Sequence, residues 1–336
     1  MPILRLPAVL IAIAASFLAG FIGMGLLPHD PYIRYQTMQG TIFERATWMY
    51  ERLHFDPAPV DIVLVGSSRT ARGIDPGALE AALAAKHLPQ RVVNLSLAAS
   101  GYDLQLTLAR EALETRQVKL LVVSLVEQFP RDGHQAFADL ANAGDIVASP
   151  WLVNRNFVPN LLRLPIRQLQ LMVKSWMPKA FGLHADFDPE IYRLATADPR
   201  FAPLTEAALP KTEEQIAELE AESKFRHRDL TLPVLPESLS WIEFGMTQSY
   251  IKQLAALAKA EGAKLVFLYL PFYKGYERPF EQHWLEQFGP VLSADFLMSD
   301  PDNYGGDVAH ASRKGTALLT AWLADALAPV LKEAAP

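Results

Sequence analysis

Three side chains of this sequence have the types and spacing that serine-based acyl transfer requires. Ser68 lies in the stretch "VGSSRT", directly after an apolar run, and Asp307 and His310 are three residues apart near the C-terminus. A serine hydroxyl is a weak nucleophile until a base takes its proton, and histidine is an effective base when a carboxylate holds its second ring nitrogen. The sequence therefore predicts Ser68 as nucleophile, His310 as base and Asp307 as the carboxylate that orients it. Ser67 is the alternative nucleophile.

Each of these short patterns also has a simpler interpretation. A Gly-Ser-Ser segment is common where a strand turns into a helix, and an Asp-x-x-His segment often occurs by chance. His310 would then be a helix N-terminal residue without a chemical role. The combination favours chemistry, because the serine follows the first predicted strand and the Asp-His pair precedes the last predicted helix.

A tetrahedral intermediate also needs hydrogen-bond donors for its oxyanion. The backbone N–H of Ser68 and the loop containing Gly101 are the predicted sources, since glycine lets the backbone approach closely. Asn94 is expected to tie the same loop by hydrogen bonds rather than to act on substrate. Gln128, after the third predicted strand, is a further candidate donor.

Two arginines flank the nucleophile and are candidate substrate-binding residues. Arg69 and Arg72 could bind an anionic acceptor, such as a uronate, or the phosphate of an acyl donor. The alternative is a salt bridge to Asp75 or Asp103, which would leave neither arginine for a ligand.

Apolar runs alternate with amphipathic segments in the parts of the chain that carry these residues, which predicts βαβ units and a parallel sheet. The fold class expected is α/β, a three-layer α/β/α sandwich with a mostly parallel, flavodoxin-like sheet. The predicted strands are 61–66, 91–97, 119–126 and 264–270, with the segment "ADFLM" (294–298) as one more.

The N-terminus predicts a membrane anchor within residues 1–28. Residues 8–27 contain no charge, and twenty helical residues span about 30 Å, the thickness of a bilayer core. A cleaved signal peptide is the competing interpretation, but no small-x-small site follows Leu27. Arg5 before the segment places the N-terminus in the cytoplasm and the rest of the chain in the periplasm, as a single-pass protein of the inner membrane. Small residues at Ala12, Ser16 and Gly20 would let another membrane helix approach, although they also suit a lone anchor.

The remaining chain divides into a helical connector, 29–58, and one domain, 59–336, with an insertion at about 140–240. Residues 146–185 contain five basic residues, four Trp or Phe residues and no acidic residue. Such a composition suits a surface near anionic headgroups or an anionic ligand, but also an insertion with packed aromatics and solvated cations. Thr212 and Gln215 form a capping-box pattern, which predicts the start of a solvated helix.

Composition excludes several classes of function. A net charge of −6 gives no basic field, so we expect no nucleic-acid partner. The absence of cysteine excludes disulfides, cysteine-zinc sites and a cysteine nucleophile. The eight histidines show no metal-binding spacing, so neither a metal nor another cofactor is predicted.

Taken together, the motifs resemble those of the SGNH/GDSL hydrolase superfamily, over residues 60–135 and 245–330. In that family a nucleophilic serine follows the first strand in a G-D-S or G-S-S turn, a glycine lies after the second strand, and a D-x-x-H motif precedes the C-terminal helix. These map onto Ser68, Gly101, Asp307 and His310. The closest likeness is to membrane-anchored periplasmic members, including alginate O-acetylation proteins and the D-alanine transfer protein.

This resemblance implies a periplasmic serine acyltransferase or esterase that acts on acyl groups, most simply acetyl groups, of a cell-envelope or exported polysaccharide. A membrane-bound O-acyltransferase, or another envelope-assembly protein, would be its partner. One departure concerns the oxyanion hole, because the family's third motif supplies an Asn after the third strand and this chain has Glu127 and Gln128 there. The alternatives are a non-catalytic polysaccharide-binding or scaffold subunit of an O-acyltransferase complex, and an esterase that acts on lipids.

Overall fold

The structure is a computed structural model that describes residues 5–89, 91–196, 210–230 and 233–333. Its centre is a sheet of five parallel strands in the order β2-β1-β3-β4-β5. The strands are β1 (Ile62–Val65), β2 (Val92–Asn94), β3 (Leu120–Leu125), β4 (Lys264–Tyr269) and β5 (Val291–Ser293). The prediction of an α/β fold with a parallel sheet is confirmed, and this strand order is that of flavodoxin-like sheets.

Helices precede, connect and cover the strands. Those of the first half are α1 (Arg5–Gly25), α2 (Pro31–Gln36), α3 (Arg45–His54), α4 (Ser68–Gly73), α5 (Pro76–Ala84), α6 (Tyr102–Thr115), α7 (Phe137–Leu140), α8 (Ala143–Val147) and α9 (Phe157–Trp176). Those of the second half are α10 (Pro189–Thr196), α11 (Glu213–Asp229), α12 (Ser240–Ala260), α13 (Gln282–Leu285) and α14 (Arg313–Lys332). Short 3-10 turns lie at Pro178–Phe181, Glu237–Leu239, Asp295–Leu297 and Pro301–Asn303.

The two faces of the sheet carry separate apolar cores, because successive strand residues point to opposite faces. On β1, Val63 and Val65 pack with residues of α3, α6 and α12. Ile62 and Leu64 pack with residues of α5 and α14 on the other face. Burial on both faces explains why β1 is a continuous apolar run and why β3 is apolar except for Ser124.

The predicted connector belongs to the first of these cores. Tyr35 and Met49 are fully buried, and the hydroxyl of Tyr32 donates to Glu51 at 2.6 Å. The segment therefore packs on the α6 side of the sheet and helps to build the domain.

Two features of the predicted secondary structure need correction. The fifth strand is Val291–Ser293, and "ADFLM" instead contains the 3-10 turn Asp295–Leu297. All three residues of this strand are partly exposed at the sheet edge. The sequence therefore has no long apolar run there that would predict a strand. The second correction concerns α11, whose capping box is confirmed but whose Leu219 and Ser223 are buried, so the helix is not fully solvated.

The N-terminal segment forms helix α1. Within the described residues, however, no helix combines the length and the apolar character needed to cross a membrane. The transmembrane assignment of residues 8–27 is therefore unsupported by the fold.

Candidate active site

The turn after β1 places Ser68 at the carboxyl edge of the sheet, beside the point where the strand order reverses. Ligands of doubly wound sheets bind at this edge. Gly66 is required in the turn because a Cβ there would collide with the side chains of Ser124 and Thr70, which hydrogen-bond to each other at 2.6 Å. Ser67 is buried and caps α4 by accepting the N–H of Arg69, so it is not the presented hydroxyl. Ser68 is half-buried at the first position of α4.

Ser68, His310 and Asp307 form one hydrogen-bonded chain. The Nε2 atom of His310 lies 2.8 Å from the Oγ atom of Ser68, and its Nδ1 atom lies 2.8 Å from Oδ2 of Asp307. With Nδ1 protonated, Nε2 is left as the acceptor for the serine proton. The structure thus brings together, from 242 residues apart in the chain, the nucleophile and the base that the sequence predicts.

A tight turn fixes the carboxylate that holds His310. The Oδ1 atom of Asp307 accepts the backbone N–H groups of Ala309 at 2.8 Å and His310 at 2.9 Å. Burial alone would raise the pKa of Asp307, but the hydrogen bond from His310 and the two backbone N–H groups outweigh it and hold that pKa below its ordinary value. Asp307 is therefore held in its ionised form beside the His310 ring.

The second-strand loop is held by buried polar groups. Asn94 donates to the carbonyl of Thr70 at 2.9 Å and accepts the N–H of Ser96 at 3.1 Å, which confirms its predicted tethering role. Gly101 is the N-cap residue of α6, and a Cβ there would lie 2.6 Å from both Asp103 Oδ1 and the backbone N of His134. A close approach, rather than an unusual backbone angle, therefore requires glycine at position 101.

The close contact between Gly101 and the backbone of His134 encloses the carboxyl group of Asp103. Its carboxylate accepts the N–H groups of Leu104 at 2.9 Å and His134 at 3.0 Å, and the residue is 1% exposed. Burial raises the pKa of Asp103 to about 7, and the backbone donors offset only part of that effect. The folded protein therefore keeps a proton on Asp103 over a pH range in which the unfolded chain has lost it.

We expect Asp103→Asn to change how stability depends on pH. Between pH 5 and pH 8 the unfolded chain has already lost this proton, whereas the folded carboxyl still has to lose it. The free energy of unfolding of the wild type should therefore fall by about 2–3 kcal/mol over this range, and that of the variant should not. Urea unfolding at both pH values measures the difference. Asp132→Asn is the matched control, since Asp132 is a nearby exposed carboxylate. Parallel pH profiles for wild type and Asp103→Asn would show that Asp103 does not titrate in this range.

A buried ion pair between Arg69 and Glu127 lies next to Ser68. The Nη2 atom of Arg69 lies 3.0 Å from Oε2 of Glu127, Nη1 contacts Oε1, and Nη1 also donates to the carbonyl of Leu270 at 2.8 Å. Burial disfavours both charges, but the attraction and the hydrogen bonds between the two side chains outweigh it. The pKa of Glu127 is therefore lowered and that of Arg69 is raised. A guanidine nitrogen of Arg226 is 3.9 Å from the same carboxylate.

This ion pair differs from the predicted salt bridge to Asp75 or Asp103, and it bears on the predicted substrate-binding role of Arg69. Arg69 pairs with Glu127, whereas Asp75 caps α5 and Asp103 accepts backbone N–H groups. Because Arg69 is 4% exposed and its donors bind within the protein, it does not fit the predicted substrate-binding role.

Arg72 and Gln128, the remaining residues predicted to contact a substrate or its oxyanion, have different surroundings. Arg72 is exposed on α4 and forms no ion pair with any residue of the described ranges, so it remains a candidate for an anionic ligand. Gln128 is half-buried in the bend after β3, and its donor role stays a prediction.

Helix α11 was not predicted to approach the site. Its Glu222 accepts the backbone N–H of Val308 at 3.3 Å, and Lys211, just before the helix, donates to the carbonyl of Gly305 at 2.7 Å. The loop that carries Asp307 and His310 is thus fastened by the insertion. The sequence offered little signal for this contact, because acidic and basic residues dominate the helix.

No group of three His, Asp or Glu side chains in the described part of the chain is arranged to hold a metal ion. The sequence matches no model of a known protein family and no curated protein. The functional proposal therefore depends on the geometry of the site.

Proposed function

We propose that the protein is a serine acyltransferase or esterase of the SGNH type, which acts on acyl esters of a cell-envelope or exported polysaccharide. The observation that supports this is the continuous hydrogen-bonded chain from Ser68 through His310 to Asp307. Both links are 2.8 Å, within the reach that proton transfer in such a site requires.

In the first half-reaction, Ser68 Oγ attacks the carbonyl carbon of an acyl ester while Nε2 of His310 takes the hydroxyl proton. The carbonyl electron pair moves to oxygen, and the imidazolium is stabilised by the ionised Asp307. When the intermediate collapses, the bond to the leaving oxygen breaks and His310 gives that oxygen the proton. The product is an acyl-serine, with the acyl group most simply acetyl.

In the second half-reaction, a sugar hydroxyl or water attacks the acyl-serine. His310 takes the proton of the attacking oxygen and returns it to Ser68 Oγ as the serine ester bond breaks. The acyl group ends on the sugar in transfer and as a free acid in hydrolysis. Exclusion of water from the site decides between the two outcomes.

The oxyanion requires donors near Ser68. The N–H of Ser68 lies in the first helical turn, where α4 has no internal acceptor for it. We assign it as one donor and the backbone at Gly101 as the second. Glu127 cannot add a third, because a carboxylate paired with Arg69 offers no N–H.

We further propose that the protein works at the periplasmic face of the inner membrane, attached through α1, with a membrane-bound O-acyltransferase or another assembly protein as partner. The support is that residues 8–27 carry no charge and that residues 9–13 and 15–20 of α1 are exposed. Arg72 beside Ser68 would then favour an anionic polymer as acceptor.

Ser68→Ala is expected to abolish acylation of the protein. When the full chain is incubated with p-nitrophenyl acetate and quenched in acid, intact-mass spectrometry should show a single added acetyl group on the wild type and none on the variant. Ser67→Ala is the matched control. It loses a helix cap worth about 1 kcal/mol but should still be acetylated, because Ser68 is intact. Acetyl-enzyme of equal yield from Ser68→Ala would disprove the assignment.

Glu127 favours a second candidate function, that of a polysaccharide-binding subunit without catalysis. Where the resemblance implies an Asn donor, this chain has a carboxylate tied into an ion pair. A polysaccharide-binding subunit without catalysis would tolerate that arrangement. Such a subunit would keep its polysaccharide affinity after His310→Ala and would show no ester hydrolysis in either form, whereas an enzyme would lose measurable turnover.

A further inference from the structure

Helix α9 carries an exposed apolar stripe along its length. We call the five residues that form it the α9 face. They recur at the spacing that places side chains on one side of a helix. Their exposed fractions are 59% for Val158, 57% for Leu162, 56% for Ile166, 39% for Leu169 and 72% for Trp176. Contiguous apolar surface of this kind marks an interaction site in a folded protein.

The opposite side of α9 fixes the direction in which this face points. Leu164, Gln168 and Leu171 are buried on that side. Arg167 is also buried there and donates to the carbonyls of Ala138 and Ala141, each at 2.7 Å. Because the helix is anchored by specific hydrogen bonds, its apolar face is held toward the outside.

Cationic side chains border the α9 face on one edge. Arg163 and Lys174 are about three helical turns apart, which places them on the same edge of the helix. Arg163 pairs with Asp139, and the ammonium of Lys174 lies 6.0 Å over the ring of Phe181. Since residues 146–185 contain no acidic residue, nothing on this segment itself would repel an anionic surface.

The N-terminal helix packs on the buried side of α9, opposite the α9 face. A Cβ added at Gly25, at the end of α1, would lie 4.0 Å from the side chains of Leu164 and Pro165, and the carbonyl of Leu27 accepts from Gln168 at 3.3 Å. Helix α1 therefore leaves the α9 face uncovered.

We propose that the α9 face lies on a bilayer that contains anionic lipids. The apolar stripe enters the boundary between headgroups and acyl chains, Trp176 lies at headgroup level, and Arg163 and Lys174 meet lipid phosphates. This is the arrangement of an interfacial amphipathic helix, in which apolar burial and attraction to anionic lipid act together. A bilayer fits better than a protein partner because the face is a narrow apolar stripe bordered by cations.

The absence of cysteine allows a specific test on the full chain. Ile166→Cys, labelled with the environment-sensitive dye NBD, is reconstituted in vesicles of phosphatidylcholine alone or with phosphatidylglycerol. We expect a blue-shifted emission that doxyl-labelled lipid quenches several-fold more than that of the matched control, Leu318→Cys. Leu318 is 42% exposed on α14, which covers the other face of the sheet.

Charge is tested on the same labelled protein. Quenching at position 166 should be stronger with phosphatidylglycerol, and Lys174→Gln with Lys179→Gln should remove most of that increase. Lys179 is an exposed cation just beyond the end of α9, whereas Lys174 is half-buried. Equal quenching at 166 and 318 would overturn the proposal and leave a protein as the occupant. Quenching that is the same in both vesicles would overturn its anionic-lipid part. Neither result depends on catalysis, so failure here is distinguishable from failure of the proposed function.

Discussion

Asp307→Asn is expected to lower the kcat for ester hydrolysis by about 10³–10⁴-fold, because it reverses the tautomer of His310. Oδ1 of Asp307 is held by two backbone N–H groups, so the asparagine oxygen would keep that position and its NH₂ group would face Nδ1. Nδ1 would then accept a hydrogen bond, which places the proton on Nε2. A protonated Nε2 cannot take the proton of Ser68.

Initial rates with p-nitrophenyl acetate measure this loss, and thermal unfolding checks that the variant is folded. Asp295→Asn serves as the control, since Asp295 is exposed in the 3-10 turn Asp295–Leu297. A variant Asp307→Asn that kept more than about a tenth of the activity, a loss under 1.4 kcal/mol, would contradict the proposed role of Asp307.

The second large effect concerns stability and the buried pair of Arg69 and Glu127. Glu127→Leu leaves the guanidinium of Arg69 buried without its counter-charge, which costs about 3–5 kcal/mol of unfolding free energy. Arg69→Met should cost less, because Arg226 is 3.9 Å from the carboxylate that remains. The double variant should lose much less unfolding free energy than the two single variants lose in sum. The reason is that it has no uncompensated buried charge.

Urea unfolding of the two single variants and the double variant gives the coupling energy directly. Lys86→Met is the control, because Lys86 and Asp325 form an exposed pair that contributes under about 1 kcal/mol. Additive losses in the double variant would show that Arg69 and Glu127 stabilise the protein independently of their pairing.

The central sheet could be predicted because strands β1, β3 and β4 are buried on both faces and therefore appear as mainly apolar runs. Strand β5 could not be located correctly, since it has three residues, all partly exposed. The turn between Asp307 and His310 is local and is visible in the sequence. Its approach to Ser68 follows only from the rule that the carboxyl ends of parallel strands share one edge.

The partners of Arg69 show where sequence reasoning ends. Nearby acidic residues, Asp75 and Asp103, were the obvious candidates, yet the ion pair joins Arg69 to Glu127, 58 residues away. Strands β1 and β3 are neighbours in the sheet, and this adjacency makes the pair possible. Spacing along the chain does not contain that information.

The wide separation of Ser68 and His310 has a consequence for biosynthesis. The proposed nucleophile leaves the ribosome 242 residues before its proposed base. Until the segment with His310 folds back onto β1, Ser68 has no partner that could take its proton. If the proposed function is correct, a chain that lacks residues 307–310 is chemically silent, and acyl-serine reports that Ser68 and the turn between Asp307 and His310 have met in the folded domain.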